Sequence, residues 1–433
     1  MFQTFRNAWK DETLRKKILY TLLILVIFRF GCTLPVPFLD ASKLGEMMGT
    51  GSILTYLDTL SGGALSRGTA FALSIQPFIN AQIIIQLLTY ALPPLENLQK
   101  EGEEGRKKLQ KITNVVALVI SLVMAYAYYA TMRNQGAVTV TDGVQGIFAA
   151  VTIIAVFTAG SSLIIWLGNL ISDKGIGNGI SILLFAGIVA RGPSAVLALV
   201  NQITADTKNV VLVPLILIIF ILMIGFIVLM NEAERRIPVQ YARRVVGRKQ
   251  YGGQNAHIPV KVAMSGVMPI IFAMAFMSIP ATLELFIDVP AEPVGFWQKL
   301  YVGFLHVFSY SSVWYAIIYF VLIIAFNYFY VAMIYDPVQI ANNLRQNNGG
   351  IPGIRPGKPT ADYLKKILSK ITLLGAVFLG LIAVLPILFN RAFPTLNISL
   401  GGTSILIVVS VSLETVRTME SQLMMRHHSG FLE

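Results

Sequence analysis

The sequence predicts an all-α polytopic membrane protein with ten transmembrane helices. Three observations predict it. Of the 433 residues, 55% are hydrophobic and only 13% are charged, whereas ordinary soluble domains are about 25% charged. The mean hydropathy is +0.68. Apolar runs of the roughly 20 residues that a helix needs to cross hydrocarbon recur from end to end, so no separate soluble domain fits.

The first span is Ile18 to Leu34. A basic segment precedes it, as in a secretory leader, but the run continues into Arg29 and Pro35 with no small-residue cleavage site, so it reads as a retained helix. Cys32, the single cysteine, lies in this run; it excludes an intrachain disulfide and reads as a small buried side chain. Next comes Phe38 to Ala70, less apolar than a span, with "LSGGALSRG" at Leu60 to Gly68. Gly and Ser suit a re-entrant or interfacial piece, because they let irregular backbone pack closely under a protein cover.

The second span, Ala72 to Leu92, carries Gln76, Pro77, Asn80, Gln82 and Gln86. At 3.6 residues per turn, Ile75, Ile79, Gln82 and Gln86 share one stripe, with Gln76 and Asn80 beside it. Amides are costly to turn toward lipid, so they face other helices or water. Two readings stand: interhelical hydrogen bonds, or a wet wall in which Ile75 and Ile79 form a dry collar that closes by dewetting.

The remaining spans are Ile112 to Ala130, Ile147 to Ile171, Gly179 to Val200, Val210 to Met230, Val262 to Leu283, Val313 to Ile334, Ile371 to Phe389 and Gly401 to Thr415. The link "DKGIGNGI", Asp173 to Ile180, reads as a tight turn. Pro269 in the seventh span answers Pro77 in the second. That fits two inverted five-helix halves with interrupted helices, and equally fits the general frequency of proline in membrane helices.

Ten crossings put both termini on one side. That side holds 26 of the 34 Lys and Arg residues, so by the positive-inside rule both termini are cytoplasmic. The net charge of +12 is therefore first a topology signal. Two loops on this side are long, at 231–260 and 335–370. The second holds "NNGGIPGIRPGKPT", whose Gly and Pro density favours a structured turn, and long loops often carry function.

Chemistry is sparse. Every Asp and Glu falls in a loop or near a span end, which speaks against an ion-coupled solute transporter, since such a protein needs a carboxylate at membrane depth. The four His residues are scattered, with neither a zinc-binding H-E-x-x-H nor a P-loop. An intramembrane hydrolase therefore also lacks its residues. No catalytic residue, metal or cofactor is expected.

Several stretches then carry a resemblance: "LSGGALSRGTAFALSIQPFINAQIIIQLL", "EGEEGRKKLQKIT", "DKGIGNGISILLFAGIVA", "IPVKVAMSGVMPIIFA", "NNGGIPGIRPGKPTADYL" and "GGTSILIVV". In order and spacing they resemble the SecY family of Sec translocon channel subunits. The resemblance implies ten helices in two inverted halves, 1–205 and 206–433, around an hourglass channel in the bacterial cytoplasmic membrane. Through it unfolded secretory polypeptides would cross, and membrane segments would leave sideways into the bilayer. Implied partners are the SecE and SecG subunits, the SecA motor, the ribosome, and signal sequences and precursors.

Carried over by motif, a pore ring falls on Ile75, Ile79, Ile180, Leu184, Ile271 and Ile407. A plug falls at about 56–70, centred on Leu60, Ser61, Gly62, Gly63, Ala64, Leu65, Ser66, Arg67 and Gly68. The lateral gate takes Pro77, Asn80 and Pro269, the prolines breaking helices where they must bend. Motor or ribosome docking takes Arg243, Arg244, Arg248, Lys249 and Arg355.

Overall fold

The computed structural model describes residues 6, 8–47, 58, 61–205, 209–241, 244–246, 249–251, 255–280, 295–309, 312–392 and 402–429. Each expected span is met by a helix. The first is α1 (Glu12–Gly31), started by Asp11, whose carboxylate accepts from Thr13 N and Leu14 N at 2.9 and 3.0 Å. A short α2 (Ala41–Met47) follows, then α3 (Gln76–Ala91), α4 (Pro93–Lys100), α5 (Glu103–Asn134), α6 (Gly143–Lys174), α7 (Gly179–Ala205) and α8 (Asn209–Glu232). The later helices are α9 (Met268–Met277), α10 (Phe296–Val307), α11 (Val313–Ile334), α12 (Pro337–Gln346), α13 (Lys358–Ala392) and α14 (Gly402–Ser429). Among the described residues, six helices are by themselves long and apolar enough to span a membrane; the α3–α4 pair, bent by 100° at Leu92, reaches that length only when its two helices are taken together. Pro93 and Pro94 explain the bend, since proline starts a helix well and cannot continue one.

Both marked prolines do something other than expected. Pro77 and Pro269 each stand at the second residue of a helix, α3 and α9, so they begin helices where the sequence reading had them breaking one. The missing N–H is harmless there. Tight turns precede both: Ser74 N bonds Phe71 O at 2.9 Å, and Gly266 N bonds Ala263 O at 3.3 Å. The same local device therefore sits at matching places in the two halves.

Close helix approaches rest on small residues. A Cβ at Gly160 of α6 would lie 1.9 Å from Ala70 O, so only glycine lets α6 meet that backbone. Buried polar bonds fix the other half. Asn327 of α11, 2% exposed, accepts from Ser265 Oγ and donates to Thr372 O of α13 at 2.9 Å. Substituting Asn327→Ala leaves the Ser265 hydroxyl without this acceptor in an apolar interior and removes the bond that ties α11 to Thr372 O of α13. The expected loss is about 1–2 kcal/mol, read as a lower melting temperature of the detergent-solubilised protein.

The two long basic loops contain β-structure that the sequence reading did not include. Strand β1 (Glu234–Tyr241) pairs antiparallel with β4 (Asn255–Lys261), and its end pairs with β5 (Gly349–Gly350) in the other long loop. Between them a hairpin of β2 (Arg244–Val246) and β3 (Lys249–Tyr251) projects. Ile237 and Val260 bury with Ile351, Leu364 and Leu368 under this sheet. Two loops distant in sequence thus form one platform.

Candidate functional site

Helices from both halves meet in one large apolar cluster. From the first half come Ile75, just before α3, Ile79 of α3 and Leu184 of α7, 1%, 4% and 3% exposed; from the second comes Ile407 of α14, 1% exposed. Ile271 of α9 and Ile180 of α7 are half-buried against the same cluster. On one side the cluster floors a cavity of about 650 Å³, where Leu184, Ile271 and Ile407 line the wall. Ile180 stands apart. Its Cδ1 lies against Gly168 of α6, and it lines a second cavity of about 450 Å³ with Gln82 and Gln86.

The larger cavity turns polar away from this floor. Asn178, Ser181, Lys261, Glu414 and Arg417 face it. Burial lowers the Lys261 ammonium below its ordinary value and the nearby Arg417 lowers it further, while Glu234 and Glu414 oppose them. Charges of both signs thus line the mouth. The cavity's apolar floor offers an ion nothing in exchange for its hydration shell.

Residues 1–205 and 206–433 meet along α7, which packs on α8 and α14, and along α3. The first residue of α3, Gln76, donates through Nε2 to Ser278 Oγ at the end of α9, a long 3.5 Å bond, and Tyr90 meets Phe329 of α11 edge-on at 5.7 Å between centroids. At this seam a long hydrogen bond and a ring contact accompany the apolar packing of Ile75, Ile79 and Ile83 in the cluster shared with α9. Asn80, the expected polar contact, is half-buried, and its side chain makes no hydrogen bond among the described residues.

Leu60 lies outside the described residues, but Ser61 to Gly68 can be followed as a series of turns. All are buried except Ser66, half-buried, and Arg67, exposed. Ala64 joins the same apolar cluster as Ile75 and Ile79, while Arg29 of α1 reaches Gly62 O at 3.4 Å. Asp58 was read from sequence as a loop acid. It is 2% exposed and accepts from Arg191 Nη1 of α7 at 2.5 Å. The signal was present in Arg29 and Arg191, cations set in apolar runs, which require partners.

The SecY family model matches residues 69–416. The protein translocase subunit SecY of Thermotoga maritima is 40% identical over 440 residues, covering 100% of this chain and 98% of that protein. The SecY subunit of Streptomyces coelicolor is 40% identical over 449 residues, with all of both chains covered. The chain belongs to the SecY family. Its fold is that of "the structure of a protein conducting channel", with a TM-score of 0.65 at 20% identity over 95% of this chain and 93% of that one. Sec61 in the canine ribosome–channel complex from the endoplasmic reticulum gives 0.60 at 18% identity, over 95% and 93%.

In this SecY-family chain the docking candidates divide by what surrounds them. Arg243 and Arg248 lie outside the described residues; Arg244 and Lys249 begin β2 and β3. Arg355 is exposed on a loop held from both ends, by Ile351 in the apolar cluster beneath the sheet and by Thr360 Oγ1 donating to Arg355 O at 2.9 Å.

Proposed function

We propose that this chain forms a protein-conducting channel through which unfolded polypeptides cross a membrane. The observation that carries the reading is the polar vestibule ending on an apolar floor built by both halves, in a multi-pass chain of the SecY family. An apolar collar grips no particular side chain, so it fits around any extended segment. As the halves separate it can widen, and without a chain it excludes water.

Further roles follow from the same reading. Residues 1–205 and 206–433 act as two halves. The α3–α9 and α3–α11 contacts are a lateral gate that releases apolar segments into lipid, with Pro77 and Pro269 fixing where its helices begin. Ser61 to Gly68 is the plug. Ile75, Ile79, Leu184, Ile271 and Ile407 form the ring, with Ile180 at its edge. The basic platform faces the cytoplasm of a bacterium, with both termini, and receives a ribosome or the SecA motor, whose energy drives transport. SecE and SecG complete the complex. The chain itself performs no catalysis.

The test is a photo-crosslinker placed at Ile79 or Ile271 with a secretory chain stalled in transit. Crosslinks to that chain from both positions are expected. Their absence, together with crosslinks from lipid-facing Val123 of α5, would rule out a central path.

A further inference from the structure

The buried Asp58 carboxylate and its half-buried partner Arg191 have no role yet in the proposed function. Asp58 lies within the stretch 56–70 read as the plug, ahead of its turns at 61–68, and is 2% exposed; Arg191 stands on α7, its side chain 30% exposed. Charged groups at such depth are expensive and persist only when paired. Here the carboxylate does two things at once. Oδ2 meets Arg191 Nη1 at 2.5 Å, and Oδ1 accepts from the backbone N–H of Ser66 at 2.8 Å.

The Asp58 backbone adds to this, its carbonyl accepting from Gly63 N at 2.8 Å and from Ser61 Oγ at 2.9 Å. One residue therefore both folds the segment 61–66 into its turns and ties the folded segment to a helix of the channel wall. The fit beside it is close. Gly62 has φ +69°, and a Cβ there would lie 2.5 Å from Arg29 Nη1 and 3.1 Å from Gly187 O of α7.

We propose that the Asp58–Arg191 ion pair is the latch that positions the plug, and that the plug leaves its seat only when this pair parts. The proposal rests on the plug reading above. Apolar contact alone would hold a small, glycine-rich segment loosely, since Ala64 and Leu65 are its only buried apolar side chains among residues 61–68. An ion pair under low dielectric is strong while seated and is readily replaced by water once the segment moves outward. Holding and release then share one contact.

The test uses the full-length complex in planar bilayers and in membrane vesicles. Two readouts are taken: resting ion conductance, and the rate at which an uncharged maleimide alkylates Cys32. That thiol is 2% exposed beneath the plug, with Sγ 3.7 Å from Ser61 O, and it is the chain's only cysteine. Asp58→Asn and Arg191→Gln are each expected to raise both readouts about tenfold or more, and the double variant to do no more than either alone, because both remove one contact. Effects that add, or single variants at wild-type values, overturn the latch.

Deleting 61–68 separates the two ideas. If the deletion raises conductance and the neutralised variants do not, the plug stands and the latch falls; if the deletion changes nothing, both fall. Should a neutralised variant fail to accumulate, Arg191→Lys decides. It keeps the charge on a different geometry, so an intermediate rise is expected and wild-type values in both readouts count against the pair.

Discussion

Replacing Ile79 and Ile271 together with glycine is expected to raise resting ion conductance about tenfold or more. The two side chains come from opposite halves and belong to the apolar layer that floors the vestibule. Removing a buried side chain of this size costs about 2–5 kcal/mol where the surroundings cannot collapse, and glycine in a helix adds about 1 kcal/mol at each site. Neighbours from four helices cannot all close the gap. Water then enters a layer whose resistance depends on staying dry. The segment 61–68, proposed above as the plug, gives little insurance, because Ala64 rests on the same cluster and loses its support. Valine at both positions keeps a branched apolar surface and should leave conductance near wild type. Single-channel recording in planar bilayers makes the comparison, and equal conductance in all three proteins would remove Ile79 and Ile271 from the seal.

Why that layer was legible from sequence, and the latch was not, is a matter of physical range. Hydropathy is local, so the spans could be drawn from it, and the turn at Asp173 to Ile180 followed from its glycines: Gly177 has φ +74°, and Asn178 Oδ1 accepts from Ile180 N at 3.1 Å. The stripe of Ile75 and Ile79 came from helical period, although Ile75 proves to sit just before α3 as its cap. The collar itself, and the plug, came from family resemblance. Asp58–Arg191 joins residues 133 positions apart, and nothing in the neighbourhood of either names the other.

The β1–β5 pairing is non-local in the same way, and its second strand is only Gly349–Gly350, without side chains to show a pattern. Alternating burial along "ERRIPVQY" was readable, with Ile237 and Val239 inside. Its partner was not. Likewise the amphipathic α10, whose Phe296 and Trp297 are 74% and 77% exposed, has only 12 residues and is too short to register as a span.

The platform gives the second large expectation: Arg355→Glu should cut motor- or ribosome-driven transport about tenfold or more while leaving membrane insertion and subunit association intact. Reversing a charge within a docking surface turns attraction into repulsion, which costs several kcal/mol when the pair is in contact and slows encounter at low salt. Arg355 is suited to such contact because its backbone is already ordered. Gly353 and Gly357 hold positive φ of +80° and +100°, Ile354 N bonds Ile351 O at 3.1 Å, and β5 joins the loop to β1. Little entropy is then lost on docking. Because the side chain itself is exposed, its replacement should shift the protein's own stability by no more than about 0.5 kcal/mol. Transport by reconstituted vesicles, measured across a salt series, separates the cases: a steep salt dependence in the parent that flattens in the variant marks a direct electrostatic contact, whereas full transport by Arg355→Glu would exclude that residue from the docking surface.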